Sequence, residues 1–384
     1  MILRISFILI LLLFLPTWYI FHAHMKEKKL IWRILFWLPN TFLFIATVLL
    51  SLFRQFSYDQ AALTGLYLML VLYLCIPETL YALFLFVGRR FSNKNIRLLF
   101  SSVGLLFSIT SLVVLLWGHW QGNRKITTPH FDYRSERIPA AFDGYKIVQF
   151  SDLHIGTFRN NPAFIDKVVD AINRQNADLI VFTGDMVNFR SEELLPHMSR
   201  LQKLQARDGI VSVLGNHDYM AYVRWPSMRH QTADTQVLVS LQESMGWRVL
   251  RNENLSIKRQ NDSIFIAGSE NDGRPPFPQR GDLKSTLHGI PANGFTVLLS
   301  HDPTHWKRKV LPETDVALTL SGHTHGMQFK IGDFSPASFF FDEWGGHYDE
   351  QGRSLLVSLG IGEVLLPYRF GAWPEINIIT LKKQ

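Results

Sequence analysis

The chain has 384 residues, 47% of them apolar, and carries 39 Lys and Arg against 32 Asp and Glu. That length predicts two or three domains, and a single cysteine, Cys75, excludes both a disulfide framework and a thiolate zinc site. The net charge of +7 is no signature of nucleic-acid binding. It resides wholly in residues 1–120, which hold ten basic and three acidic side chains and leave 29 of each sign for residues 121–384.

Four stretches reach the roughly 20 mostly apolar residues that a membrane-spanning helix needs. They cover about 5–21, 34–53, 63–87 and 98–120. Arg4 ahead of the first apolar run also suits a signal peptide. The following "HAHMKEKK" offers no small-x-small cleavage site, so this stretch reads as a span. Lys26, Lys28, Lys29 and Arg33 fill the first loop, and Arg89, Arg90, Lys94 and Arg97 the third. The second has only Arg54, offset by Asp59. The excess of basic residues predicts cytoplasmic first and third loops, with the N-terminus, the second loop and everything after Trp120 on the other side. Trp18, Tyr19, Trp117 and Trp120 read as interfacial anchors, and Cys75 as a small apolar residue inside a span. Glu78, beside Pro77, lies deep in the third span. An acidic residue there is costly, and no second one lies within the spans to form a relay. A protonated carboxyl bonded to a neighbouring helix is the expected arrangement.

Residues 121–142 read as a linker, and 143–384 as a layered α/β domain in which short β-rich runs alternate with amphipathic helices. In chain order "YKIVQFSD", "ADLIVFTGD", "GIVSVLGNHD", "DSIFIAGSEND", "FTVLLSHDP", "VALTLSGHTH" and "SLLVSLGIG" read as strands. "NPAFIDKVVDAINRQ" has helical spacing with Pro162 in its first turn, and "SEELLPHMSRLQKLQ" reads as a helix kinked at Pro196. Five strand ends carry Asp, Asn or His and no Lys or Arg: Asp152 with His154, Asp185 with Asn188, Asn216 with His217 and Asp218, His301, and His323 with His325. One such end is a turn or a helix cap; five are beyond turn chemistry. Open α/β sheets place their chemistry at these ends. An N/O donor set without sulfur suits Mn, Fe or Zn, and so many carboxylates and imidazoles exceed the needs of one tetrahedral ion.

The ordered motifs "DLH", "GDMVN", "GNHD", "SHDP" and "GHTH" resemble those of the calcineurin-like metallophosphoesterase superfamily over about residues 143–381. The C-terminal "SGHTHGMQFKIG" and "LLPYRFGAWPEINIITL" resemble the membrane-anchored bacterial phosphohydrolases of the YkuE/YaeI type. Met327 stands where that group usually has a second Gly, and "SLGIG" replaces a more usual Arg-containing turn. The resemblance implies two packed sheets flanked by helices and hydrolysis of a phosphoric ester by a metal-activated water. It assigns Asp152, His154 and His325 to a first divalent ion, Asp185 to a bridge, and Asn216, His301 and His323 to a second. His217 becomes the catalytic histidine and Asp218 the group that orients it. Asn188 and Asp302 fit either a site role or a turn, and Glu270 has no assigned role.

Two segments read as rim loops: 219–231, mixing aromatics with Arg224 and Arg229, and 333–348, with Phe339, Phe340 and Phe341 beside Trp344. Three adjacent Phe residues cannot all face one buried side of a strand. With a tether of only about twenty residues to the last span, they suggest a lipid or lipid-linked phosphodiester or pyrophosphate as substrate and the bilayer as partner. A nuclease of the same superfamily would need a basic stripe that the neutral domain lacks. A non-enzymatic membrane sensor would not need an intact ligand set. The loop charges put the catalytic domain outside the cytoplasm, and the resemblance to bacterial membrane-anchored phosphohydrolases implies an inner-membrane location.

Overall fold

The structure, a computed structural model, describes residues 2–52, 58–122 and 124–384. The second interhelical loop, with Arg54, lies outside them. The chain divides into two compact units. One is Met1–Gln121 with Leu365–Tyr368, and the other Gly122–Val364 with Arg369–Gln384.

In the first unit, among the described residues, four helices are long and apolar enough to cross a membrane: Phe7–Met25, Leu30–Ser51, Gln60–Gly88 and Lys94–Gln121. Their bounds lie within four residues of the expected spans, and the first and third run through Pro16 and Pro77, as the expected spans did. Leu13, Leu43, Leu68, Val71 and Cys75 pack between them. Most other apolar side chains face outward, as lipid-facing residues do. The first and third loops lie at one end of this unit: Arg89 stacks 4.8 Å from the Tyr19 ring, and Tyr81 reaches His24 at 3.0 Å. Glu78 is hydrogen-bonded as expected. The Thr17 hydroxyl donates to its carboxylate, and Asn40 donates to Thr17 Oγ1 at 2.7 Å.

Among the described residues, the second unit contains twelve strands: β1 (His130–Ser135), β2 (Lys146–Phe150), β3 (Leu179–Phe182), β4 (Ile210–Ser212), β5 (Arg248–Val249), β6 (Glu253–Arg259), β7 (Asp262–Gly268), β8 (Thr296–Leu299), β9 (Leu318–Ser321), β10 (Gly346–Glu350), β11 (Arg353–Val357) and β12 (Asn377–Lys383). They form two six-stranded sheets, ordered β1-β12-β2-β3-β4-β5 and β10-β11-β9-β8-β7-β6. Strands β2 to β5 are parallel, as are β7, β8, β9 and β11. This is the expected two-sheet sandwich.

Strand alternation explains why both faces of these central strands are apolar. Ile147, Leu179 and Val181 of the first sheet meet Ile266, Val297, Leu299, Leu318 and Leu320 of the second in one buried core. The intervening Val148, Phe150, Ile180 and Phe182 turn the other way, onto Phe164, Val168 and Ile172 of the helix Pro162–Asn173. Each such side chain contributes about 1.5–3 kcal/mol by leaving water. Gln149, buried between the sheets, ties them together by donating to Ser321 O at 2.9 Å.

Three features differ from the sequence reading. The stretch 121–142 contains the edge strand β1, paired in parallel with β12 near the far end of the chain, a partner local sequence cannot reveal. The expected helix over 191–205 is a 3-10 segment, Ser191–His197, followed by one α turn, Met198–Leu201. Pro196 has no N–H to continue an α ladder, and the Glu193 carboxylate is occupied by the backbone N–H groups of Asn188, Phe189 and Arg190. The last residues of the 219–231 segment belong to a helix, Met228–Ser244.

Candidate metal centre

Strands β2, β3 and β4 of one sheet and β8 and β9 of the other end at one place. Their carboxyl ends deliver Asp152, His154, Asp185, Asn216, His217, His301, His323 and His325, nearly all deeply buried. His154 Nε2 lies 3.2 Å from His325 Nε2 and 3.5 Å from Asp185 Oδ2. His325 Nε2 is 3.3 Å from Asp152 Oδ1, and His301 Nε2 is 3.3 Å from Asp185 Oδ2 and 3.1 Å from Asn216 Oδ1. Three groups have ligand atoms within 4.8 Å of one another: Asp152–His154–His325, His154–Asp185–His217 and Asp185–His301–His323. The first group brings together Asp152, His154 and His325, the third joins His301 and His323 to Asp185, and Asp185 is shared by the second and third.

Local backbone geometry aims these side chains. Asp152, His154, Asp185, His323 and His325 all adopt left-handed φ, between +40° and +76°. Such conformations cost about 1–3 kcal/mol each in non-glycine residues and cluster at functional sites. Hydrogen bonds from outside the turns hold them: Asp152 N to Gly184 O (2.8 Å), His154 N to Asp185 O (3.1 Å) and Gly362 N to Asp152 O (2.7 Å). Met327 shares the left-handed conformation at φ +44°, which accounts for the glycine usual there in the YkuE/YaeI type. Close packing adds a further constraint. A Cβ on Gly215 would overlap the Asp185 carboxylate. Gly215→Ala therefore displaces that carboxylate and lowers turnover by about 10²-fold. Retention of wild-type rate in a steady-state assay would contradict this.

Imidazole tautomers are set from behind. The ring Nδ1 of His301 donates to Thr183 O at 2.8 Å, turning Nε2 into the site. Similarly, Nδ1 of His217 donates to Asn188 O at 2.7 Å. This corrects the expected role of Asp218. Its carboxylate does not orient His217; it accepts from the backbone N–H groups of Asp185, Met186 and Gly215, each at 2.9 Å. Asp218 thus pins the turn that presents Asp185. Asn188 serves through its backbone carbonyl. Asp302 shapes a turn by accepting from Thr304 N, and its other oxygen stands 3.5 Å from His323 Nε2. Glu270 forms an ion pair with Arg251 at 2.8 Å.

Two contributors were not legible in the sequence. Arg369 is fully buried and donates to the carbonyls of Leu359, Gly362 and Ala372 and, at 3.0 Å, meets His325 Nδ1. Tyr222 stacks on His217 with ring centroids 4.1 Å apart and accepts from Asn216 Nδ2 at 2.7 Å. A single Arg amid the apolar "EVLLPYRFGAW" was the only hint of the first.

The electrostatics suit a cation. Burial raises the Asp185 carboxyl, but the imidazoles of His301, His217 and His154 outweigh this and hold it well below the usual carboxylate range. Burial keeps His154 neutral, the form that ligates metals. Burial opposes charge on His301 too, yet Asp185 pushes it up to about 10. Carboxylate and imidazole atoms crowd together with few donors between them, and Asp302 Oδ2 is buried without a hydrogen-bond partner. The residues fit a divalent metal with N/O ligands.

A two-sheet α/β domain with such a centre at its strand ends defines a metal-dependent phosphoesterase. A family model described as Calcineurin-like phosphoesterase matches residues 145–327, and one described as Probable Calcineurin-like phosphoesterase, transmembrane domain, matches residues 3–123. The uncharacterised metallophosphoesterase YkuE of Bacillus subtilis is 33% identical over 271 residues, 67% of this chain and 86% of the relative. An uncharacterised metallophosphoesterase of Campylobacter jejuni is 26% identical over 98% of both chains. UDP-2,3-diacylglucosamine pyrophosphatase LpxG of Chlamydia trachomatis is 28% identical over 73% of this chain and 98% of its own length. The chain belongs to the calcineurin-like phosphoesterase family, with an N-terminal transmembrane domain, and is a membrane-associated phosphoester hydrolase.

Proposed function

We propose that the protein hydrolyses a phosphodiester or pyrophosphate of a lipid or lipid-linked substrate, using two divalent ions of the Mn, Fe or Zn kind. The observation that carries this reading is the convergence of two His/Asp groups around Asp185 in a chain with four membrane-length helices. Asp152, His154 and His325 would hold one ion, Asn216, His301 and His323 the other, and Asp185 both. When bound, such ions polarise phosphoryl oxygens and make water a nucleophile near neutral pH. His217, its Nδ1–H fixed on Asn188 O, would present Nε2 to the substrate and, once protonated there as the imidazolium, give that proton to the leaving oxygen. The lipid class draws support from the pyrophosphatase relative and the exposed aromatic loop. Nucleic acid is not expected as a substrate, since residues 121–384 are electrically balanced.

The test compares wild type with His217→Ala on detergent-dispersed phospholipids, a lipid-linked pyrophosphate and single-stranded DNA. Wild type should cleave a lipid substrate. The variant should bind metal normally yet turn over about 10²–10⁴-fold more slowly. Cleavage of DNA alone, or an undiminished variant, refutes the reading. We also place the enzyme in the bacterial inner membrane with its catalytic domain outside the cytoplasm. A reporter active only outside the cytoplasm, fused after Gln384, should be active; an inactive fusion reverses the orientation.

A further inference from the structure

Among the described residues of the second unit, exposed large apolar side chains are sparse except in one segment. Met327, Ile331, Phe334, Phe339 and Phe340 are exposed by 48%, 57%, 48%, 76% and 65%, all within fourteen residues. Phe334 and Phe339 lie edge to face with centroids 6.0 Å apart. We propose that this segment is a membrane-docking surface that seats the mouth of the metal centre on the bilayer interface.

The surface is built, not loose. Ser335 Oγ donates to Gly326 O at 2.6 Å and accepts from Ala337 N at 3.1 Å, fixing the turn Pro336–Phe339. The inner side of the same loop is buried: Ala337 and Trp344 pack with Leu359 and Ala372, and Phe341 rests against them. Phe339 and Phe340 are thus held outward by a rigid base. An aromatic pair presented this way marks an interaction surface.

The occupant is lipid by the chain's own connectivity. Four membrane-length helices precede the unit and end at Gln121. Leu365–Tyr368 belong to the helical unit, and Lys330, next to Ile331, donates its backbone N–H to Phe370 O at 2.7 Å, two residues beyond Tyr368. The chain runs directly from Phe370, the partner of Lys330, back into residues grouped with the membrane-length helices. Aromatic and aliphatic tips beside a Lys suit the headgroup boundary.

The surface also adjoins the chemistry. Met327 follows His325 by two residues, and the Phe341 ring lies 5.6 Å from that of His323. A bilayer touching Phe339 and Phe340 would bring a phosphate at headgroup level beside these ligands. Only this last consequence rests on the proposed lipid substrate.

The test uses the full-length protein in nanodiscs. A Cys75→Ser background carries either Phe340→Cys or, as a reference away from the patch, Lys258→Cys, each labelled with an environment-sensitive fluorophore. Lipids with a spin label near the headgroup should quench the Phe340→Cys label by at least about twofold and blue-shift its emission, leaving the reference unchanged. A water-like, unquenched label at position 340 overturns the proposal. So does efficient cross-linking of position 340 between two chains, which would assign the patch to a second copy. The readout needs no turnover, so failure of lipid hydrolysis and failure of docking are separate results.

Discussion

Asp185→Asn should lower turnover of a bis-aryl phosphodiester by about 10³-fold, or about 4 kcal/mol in barrier. Asp185 is the one carboxylate common to two of the three ligand groups, with His154 and His301 on either side of Oδ2. The substitution keeps shape, including an oxygen able to accept from His217 N, and removes only the charge. It therefore separates metal holding from folding. Metal bound per chain should fall, and stripping metal with a chelator should lower the melting temperature of wild type while leaving that of the variant unmoved, because only a ligand bound to the folded state stabilises it. Full metal content with undiminished turnover would show that Asp185 is not a ligand.

Arg369→Met should be the most destabilising single change near the centre, costing about 3–5 kcal/mol. The substitution leaves the carbonyls of Leu359, Gly362 and Ala372 buried without their donor and frees the His325 ring. Because His325 loses the partner that fixes its orientation, metal affinity should also fall by about 10–100-fold. Arg369→Lys is the informative comparison. An ammonium cannot span that fan of acceptors as the planar guanidinium does, so it should restore little. Chemical denaturation and metal titration of the detergent-solubilised protein measure both effects. A fully functional Arg369→Lys variant would reduce Arg369 to a buried charge without a positioning role.

The membrane spans were legible because length and apolarity suffice for them, and the prolines at 16 and 77 lie inside these helices as expected. Parallel strands buried on both faces read as apolar runs, so β2, β3, β8 and β9 stood out. Strands β1 and β12 did not. They depend on each other across some 250 residues of sequence.

The ligand candidates were equally visible, since Asp, Asn and His at five strand ends form a pattern that turn chemistry does not produce. What no local reading supplies is how they are held. Asp218 follows His217 in "GNHD", and adjacency suggested that it orients that ring. In the fold its carboxylate instead faces the backbone of the turn after β3, while the carbonyl of Asn188 holds the ring. Arg369 lies 44 positions after His325 and reaches it only because the two sheets close over one another's strand ends. The sequence by itself determined the membrane anchor, the layered α/β class and the N/O character of the candidate ligands, because each is written in composition and period. The partners of the ligands, the strained backbone that aims them and the outward face of the Phe loop were decided by tertiary structure alone. Those depend on which distant carbonyls, carboxylates and packing surfaces the fold brings within hydrogen-bonding distance.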